Sequence, residues 1–186
     1  MSKHSFVRPS VAVSHQRGVT LIETLCAASV LATAVGLAAP AMESWKLRQA
    51  LHAEAAALET DIHLARSSAV AMNQIVRLDT QALGGSSCYI VHTGSAHACE
   101  CSGQGLAHCT GDAQILRVSE QRRDGSVRLT TTKVSLAFDP QRGTVTPTAT
   151  LKLADAQGRA LHQIVNIMGR VRSCSPQPAA LGVRAC

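Results

Sequence analysis

Aromatic side chains are scarce in this chain of 186 residues. They are Phe6, Trp45, Tyr89 and Phe138. The chain is long enough for one domain, whose core must be built from Val, Leu, Ile and Ala. So few rings also argue against nucleic-acid binding by base stacking, which relies on exposed aromatic side chains.

Sequence signatures of common enzyme classes are missing as well. The chain contains no glycine-rich phosphate loop, no G-x-S-x-G nucleophile elbow and no H-E-x-x-H zinc motif. Ser, His and Asp residues occur, but no motif brings them together. We therefore expect no catalytic residues, no cofactor and no enzymatic activity.

Charge is distributed unevenly along the chain. Residues 1–18 contain three basic residues and no acidic one. Residues 19–114 contain four Lys or Arg against eight Asp or Glu, and residues 115–186 contain eleven against four. A basic C-terminal part favours an anionic partner, although a solvated arginine-rich sheet face would give the same pattern.

One long apolar run extends from residue 19 to residue 42. As a helix its 24 residues span about 36 Å, enough to cross a hydrocarbon core of about 30 Å. A cleaved secretory signal, in which the apolar run would be discarded, is the alternative, but the basic stretch before the run ends at Gly18. Cleavage at Gly18 would retain the segment as a membrane anchor.

Glu23 is the unusual residue of this anchor. A carboxylate within a membrane costs about 2.5–3.5 kcal/mol on insertion scales, so it normally has a partner. Cleavage after Gly18 would create an α-amino group at Val19, one helical turn from Glu23. Glu23 of one subunit can then pair with the new terminus of its neighbour, which predicts an assembly contact. A plain single-pass anchor with a chance glutamate is the alternative.

The residues around this carboxylate, "RGVTLIETL", resemble the type III signal of type IV pilins and type II secretion pseudopilins. The resemblance implies that prepilin peptidase removes residues 1–18 and that Val19 is N-methylated. It also implies a single-pass protein of the bacterial inner membrane, with a periplasmic C-terminal head. The subunit would then join other pilin or pseudopilin subunits in a filament.

An amphipathic pattern follows the anchor. Apolar residues recur at steps of three and four from Leu47 to Met72 and predict a helix that continues the anchor. The run from Leu58 to Leu78, with "ARSSA" at 65–69 and Asn73, resembles the segment shared by GspH/FimT-type minor pseudopilins. This family has an α+β, pilin-like fold in which a long N-terminal helix packs on an antiparallel β-sheet head. The implied layout is leader 1–18, membrane or filament-core helix 19–42, amphipathic helix 43–73, β-rich head 74–173 and tail 174–186.

After Asn73 the helical period ends and short β-branched runs follow. Their number and spacing predict antiparallel sheets. The predicted strands are Ile75–Leu78, Cys88–His92, Ile115–Ser119, Ser126–Thr132, Val134–Phe138, Gly143–Thr146, Thr150–Ala154 and Leu161–Val171.

Seven cysteines suggest an oxidising compartment or a metal site. Cys26 lies in the apolar run and is expected to stay unpaired, which leaves an even number. Of these, Cys174 and Cys186 can close the C-terminal tail into a loop. The remaining four are Cys88, Cys99, Cys101 and Cys109.

These four cysteines lie in a loop that also contains His92, His97 and His108. Thiolates and imidazoles suit Zn²⁺, but the usual C-x₂-C pairs are missing, so disulfides are preferred to a metal site. A direct link between Cys99 and Cys101 would be strained. The pairings considered are therefore 88–99 with 101–109, or 88–109 with a reduced or crossed remainder.

The C-terminal part ends in a basic motif. In an extended strand Arg170 and Arg172 project on one face, because the side-chain period is two. Gly169 beside them would leave the backbone accessible, and a tail loop would hold Arg184 nearby. Three guanidinium groups on a surface held in place by the disulfide can bind phosphate oxygens, because each can donate two parallel hydrogen bonds. Arg159 and Lys152 are further candidates from charge alone.

Gly169, Arg170, Val171 and Arg172 also resemble the G-R-x-R element of FimT-type minor pilins. In that branch the element is associated with DNA binding during natural transformation, which implies that Arg170 and Arg172 bind the phosphate backbone of double-stranded DNA. The sequence thus predicts a minor pilin of a type IV pilus that binds DNA for uptake. The alternative is a structural GspH-type pseudopilin of a type II secretion system without DNA binding.

Overall fold

A computed structural model describes residues 19–121, 125–130 and 134–186, apart from the side chains of residues 38–40 and 83. The predicted leader and its cleavage residue Gly18 lie outside this part of the chain. The chain divides into two compact units, residues 1–41 and 42–186.

The first unit contains the start of helix α1, which runs from Leu21 to Met72. This end of the helix is apolar and its described side chains are exposed. It is long and apolar enough to cross a membrane. The first turn includes Glu23, whose N–H donates to the carbonyl oxygen of Thr20 at 3.0 Å. A continuous helix here agrees with the predicted anchor.

The second unit begins at Met42, and the rest of α1 lies within it. Here the helix buries a stripe at three- and four-residue steps, because those positions share one face. The helix ends where Asn73 adopts a positive φ of 50°, a conformation that Asn tolerates better than most residues. The buried stripe consists of Leu51, Ala55, Leu58, Ile62, Ala65 and Ala69.

Eleven strands and one short helix follow within the described residues. They are β1 (Val76–Leu83), β2 (Ser86–Thr93), β3 (Cys99–Gly103), β4 (Leu106–Cys109), β5 (Ile115–Gln121), β6 (Val127–Thr130), β7 (Ser135–Phe138), β8 (Val145–Thr146), β9 (Ala149–Asp155), β10 (Ala160–Val165), β11 (Val171–Cys174) and α2 (Pro178–Leu181).

The strands form three antiparallel sheets. The first has the order β5-β2-β1-β7-β8, the second has the order β11-β10-β9-β6, and the third is the hairpin of β3 and β4. The predicted α+β fold, with a long N-terminal helix followed by an antiparallel head, is therefore confirmed.

One core joins the second half of α1 to both larger sheets. Leu58 and Ile62 of the helix, Leu78 of β1 and Leu153 of β9 are all fully buried. This core, with the side chains packed against it, lies between residues 50 and 183. Residues 42–186 therefore contain the whole core and are called the head below.

Two features of the head differ from the predicted strands. The run Leu161–Val171 is two strands, because the chain reverses at residues 166–170 and β11 returns beside β10. Strands β3 and β4 were not predicted. Their sequences are rich in Cys, Gly and His and lack the β-branched residues by which the other strands are recognised.

Candidate nucleic-acid interface

The reversal between β10 and β11 is built on Asn166. Its side-chain oxygen accepts hydrogen bonds from the N–H groups of Met168 and Arg170, at 3.0 and 2.9 Å. Its own N–H donates to the carbonyl oxygen of Arg170 at 3.1 Å, and Gly169 N–H donates to the Asn166 carbonyl oxygen at 2.9 Å. Four hydrogen bonds thus fix the backbone that carries Arg170.

Both predicted arginines are exposed on this hairpin. Arg170 lies at the end of the turn, and Arg172 lies on β11, opposite Ile164 of β10. Strand β11 is at the edge of its sheet. Because the strand pairs with β10 on one side only, the arginines are open to a large ligand.

Gly169 is buried, contrary to the expectation that it leaves the backbone accessible. Its φ is +70°, and a Cβ atom placed on it would lie 3.1 Å from Cδ of Arg66 and 3.3 Å from Cγ2 of Val145. Arg66 is held there because its Nε donates to the carbonyl oxygen of Gly143 at 3.0 Å. Gly169 therefore makes room for the helix arginine, so the two family-like motifs, "ARSSA" and "GRVR", meet at this point.

The tail after β11 is pinned in three ways. Cys174 forms a disulfide with Cys186. Ser175 N–H donates to the carbonyl oxygen of Arg184 at 2.9 Å, and Leu181 of α2 packs into the core. Arg184 is exposed and lies beside Ser175, three residues after Arg172.

Arg159 is engaged elsewhere. Its Nε lies 2.6 Å from Oδ2 of Asp155, and the Arg159 side chain is only 13% exposed. Its Nη2 also donates to the carbonyl oxygen of Ser44 at 3.3 Å. Arg159 thus ties a strand turn to α1 and is not presented with the other arginines, whereas Lys152 is exposed on β9.

All four cysteines of the Cys/His loop form disulfides, Cys88 with Cys101 and Cys99 with Cys109. The specific pairings predicted from sequence, 88–99 with 101–109 or a link between 88 and 109, are wrong. The reason is the unpredicted hairpin: its register places Cys99 opposite Cys109. Cys101 then faces Cys88 of β2, and both are buried in a small separate cluster. With their sulfur atoms joined in pairs, these cysteines offer no thiolate ligands.

A buried ionic cluster lies beside this loop and was not singled out from the sequence. Asp79 and His92 have fully buried side chains, and Oδ2 of Asp79 lies 3.1 Å from Nε2 of His92. Nε2 has no hydrogen-bond partner, and Nδ1 lies 2.8 Å from the carbonyl oxygen of Thr93, so the approach of Asp79 to Nε2 is an ion pair when the imidazole is protonated. The same Oδ2 accepts the backbone N–H of His97 at 2.6 Å. Asp79 thereby anchors the start of the disulfide loop.

Burial and charge oppose each other in this cluster. Burial alone would lower the pKa of His92, but the Asp79 carboxylate and the Thr93 carbonyl oxygen together outweigh burial and raise that pKa from its usual value. Burial alone would raise the pKa of Asp79, but His92, Ser135 and the His97 N–H outweigh it and lower that pKa. Each group therefore stabilises the charged form of the other. In the sequence, the only indication of this cluster was that His92 belongs to the loop that was considered as a zinc site.

The remaining predicted residues lie in the first unit. Val19 and Glu23 are exposed, and Cys26 is a free, exposed thiol. The contact of Glu23 with a neighbouring subunit stays a prediction.

In the comparison with protein families, residues 54–169 match the family described as type II transport protein GspH. The matched region runs from the buried part of α1 to Gly169 and covers more than half of the chain. No curated protein and no solved structure matches the chain.

Proposed function

Since the chain belongs to the GspH family of minor pseudopilins and pilins, we propose that it is the minor pilin of a type IV pilus that binds double-stranded DNA for uptake. The arginine pair on the β10–β11 hairpin carries this proposal. Both side chains are exposed, and four hydrogen bonds to Asn166 and its neighbours hold the turn beside them. A guanidinium group can donate two parallel hydrogen bonds to phosphate oxygens. Because phosphates are the same at every base pair, this binding is electrostatic and independent of base sequence.

Assembly of this pilin follows from its N-terminal segment. Prepilin peptidase cleaves after Gly18, Val19 is N-methylated, and Glu23 pairs with the terminus of a neighbouring subunit. The helix is long and apolar enough to hold the chain in the inner membrane before assembly. The Glu23→Val variant should no longer be incorporated into filaments if Glu23 makes this contact. The amount of the variant in filaments sheared from the cell surface is compared with that of the wild type. Incorporation at the wild-type level would remove the assembly role.

Titration with duplex DNA tests the binding role. The full chain in neutral detergent is titrated at several salt concentrations, beside Arg170→Ala/Arg172→Ala. Each phosphate contact contributes about 0.9 to the steepness of the plot of log K against log salt concentration. Removal of two contacts should therefore make this slope shallower by about 1.8 and lower the affinity by about tenfold or more.

A matched control removes two charges elsewhere. Lys46 and Arg48 lie on α1, and Lys46→Ala/Arg48→Ala has the same net charge as the arginine variant. Its salt slope should stay at the wild-type value. Equal losses in both variants would show that net charge, rather than the hairpin, governs binding. Absence of wild-type binding at low salt would refute DNA binding.

A structural pseudopilin of a type II secretion system is the second candidate, because the matching family is described as a type II transport protein. The two roles separate in cells that lack the gene. A defect in DNA uptake that the wild-type gene restores, and Arg170→Ala/Arg172→Ala does not, supports the DNA role. A defect in protein secretion that both genes restore supports the second candidate.

A further inference from the structure

Three side chains of the kinds that bind metal ions meet where the tail returns to the second sheet. They are His162 of β10, Cys174 of β11 and Cys186 of the tail, and they are called the tail cluster below. One ligand atom of each side chain lies within 4.8 Å of the ligand atoms of the other two. Among the residues that the structure describes, no other three His, Cys, Asp or Glu side chains bring their ligand atoms so close together.

Backbone contacts hold the tail cluster together in addition to the disulfide. Cys174 lies directly opposite His162 in the register of β10 and β11. The N–H of Ser175 donates to the carbonyl oxygen of Arg184 at 2.9 Å, and the Ser175 carbonyl oxygen accepts the N–H of Cys186 at 3.2 Å. These hydrogen bonds do not involve the sulfur atoms. Reduction of the disulfide would therefore leave the three side chains beside one another.

The disulfide of the tail cluster is accessible from solvent on one side. Cys174 is only 1% exposed, whereas Cys186 is exposed. None of the four cysteines in the other two disulfides is exposed. Because thiol–disulfide exchange requires access of the attacking thiolate to a sulfur atom, a small dithiol should open the tail disulfide first, by attack on Sγ of Cys186.

Reduction converts the tail cluster into a set of metal ligands. The dithiol gives two electrons and two protons to the bond between the sulfur atoms of Cys174 and Cys186, and it is itself oxidised to a cyclic disulfide. The two cysteine thiols then release their protons when a cation binds, because the thiolate is the form that ligates a metal. Two thiolates and one imidazole are ligands that Zn²⁺ prefers.

The spacing of the tail cluster suits tetrahedral zinc. With Zn–S bonds of about 2.3 Å and a Zn–N bond of about 2.1 Å, neighbouring ligand atoms are roughly 3.6 Å apart. Nδ1 of His162 already lies 3.5 Å from Sγ of Cys186. The two sulfur atoms have to separate to about the same distance, which rotation of the exposed Cys186 side chain allows. The exposure of Cys186 also leaves the fourth position to water, as in zinc sites with three protein ligands.

We propose that the tail cluster binds Zn²⁺ when its disulfide is reduced, with His162, Cys174 and Cys186 as the three protein ligands. The cation then holds the tail against β10 and β11 in place of the disulfide. This site is separate from the Cys/His loop that was considered for zinc from the sequence. It requires neither Arg170 nor Arg172, so the inference does not depend on the proposed DNA-binding function.

Metal titration of the selectively reduced protein tests the inference. The full chain in neutral detergent is treated with a small dithiol until alkylation and mass spectrometry show that only the tail disulfide is open. The dithiol is then removed without air, and Co²⁺ is added as a probe, because its ligation by thiolates gives a charge-transfer absorption. The reduced wild type should bind about one equivalent of Co²⁺ with this absorption, which added Zn²⁺ removes. The oxidised wild type, which still has the free thiol of Cys26, should not show the absorption.

Substitution of the histidine separates the tail cluster from other thiol sites. His162→Ala keeps both thiolates but should lower the Zn²⁺ affinity by about tenfold or more, because one of three ligands is lost. His108→Ala is the matched control, since His108 is exposed and lies next to Cys109 of another disulfide. It should bind as the wild type does. Thermal unfolding verifies that each variant is folded, and His162→Gln, with a side chain of similar length, replaces His162→Ala should that variant unfold.

Four results would overturn the inference. They are absence of the absorption in the reduced wild type, unchanged affinity without the His162 imidazole, an equal loss in His108→Ala, and a tail disulfide that resists the dithiol until the other two open. Cys186→Ser adds a check that does not depend on the histidine. The binding of about one equivalent of Co²⁺ should be lost in this variant, and binding at the wild-type level would place the metal elsewhere and overturn the inference.

Discussion

Gly169→Ala is expected to destabilise the head through two separable effects. The first is backbone strain, because a residue with a Cβ atom at φ +70° costs roughly 1–2 kcal/mol relative to glycine. The second is crowding, because the new Cβ would lie 3.1 Å from Cδ of Arg66 and 3.3 Å from Cγ2 of Val145. Overpacking of this kind costs about 1 kcal/mol or more. The free energy of unfolding should therefore fall by roughly 2–3 kcal/mol.

Gly158→Ala isolates the first effect. Gly158 has φ +78°, and a Cβ atom placed on it meets no atom within 4 Å. In urea unfolding of the oxidised protein, Gly158→Ala should lower the free energy of unfolding by the cost of backbone strain alone, about 1–2 kcal/mol. Combining Gly169→Ala with Arg66→Ala removes the crowding, so the two substitutions should be less than additive. The reasoning is refuted if Gly169→Ala costs no more than Gly158→Ala, or if its cost is unchanged when Arg66 is absent.

Three further outcomes are expected. Asp79→Asn should cost roughly 3 kcal/mol at pH 5.5, where buried His92 is charged. The cost should shrink as pH rises through the raised pKa of His92, since the wild-type pair is lost there too. Urea unfolding from pH 5 to 9 measures this, and a cost independent of pH would contradict it. Tyr89→Phe should cost about 1–2 kcal/mol by thermal unfolding, because the hydroxyl donates to a buried carboxylate at 2.8 Å; no change would show that the bond contributes nothing. Cys174→Ser/Cys186→Ser should lower the free energy of unfolding by about 3 kcal/mol, because the disulfide joins cysteines that are 12 residues apart in sequence. An unchanged midpoint in urea would contradict that.

Periodicity was sufficient to predict the helix and most of the strands. The stripe from Leu51 to Ala69 repeats at steps that bury only one helix face, and that face is buried. Alternation along β9 and β10 likewise follows the buried and exposed positions observed. These signals are local, so they can be read from neighbouring residues.

Features that depend on distant residues could not be predicted. The turn at Asn166 interrupts an apolar run without a Pro or an Asn-Gly signal, and Gly169 is explained only by Arg66, about a hundred residues earlier in the chain. The disulfide pairing depends on a hairpin whose residues have weak strand propensity. Similarly, the Asp79–His92 pair forms because β1 and β2 lie side by side.

The two disulfides beside the β3–β4 hairpin overlap in sequence, and this overlap affects how the protein survives proteolysis. Cys99 lies within the segment closed by Cys88 and Cys101, whereas its partner Cys109 lies outside it. A protease that cuts any one peptide bond between residues 88 and 109 therefore leaves both fragments covalently joined. Nicked protein should migrate as one species on a non-reducing gel and separate into two fragments after reduction. A single cut between residues 88 and 109 would thus leave the C-terminal part of the head attached to α1.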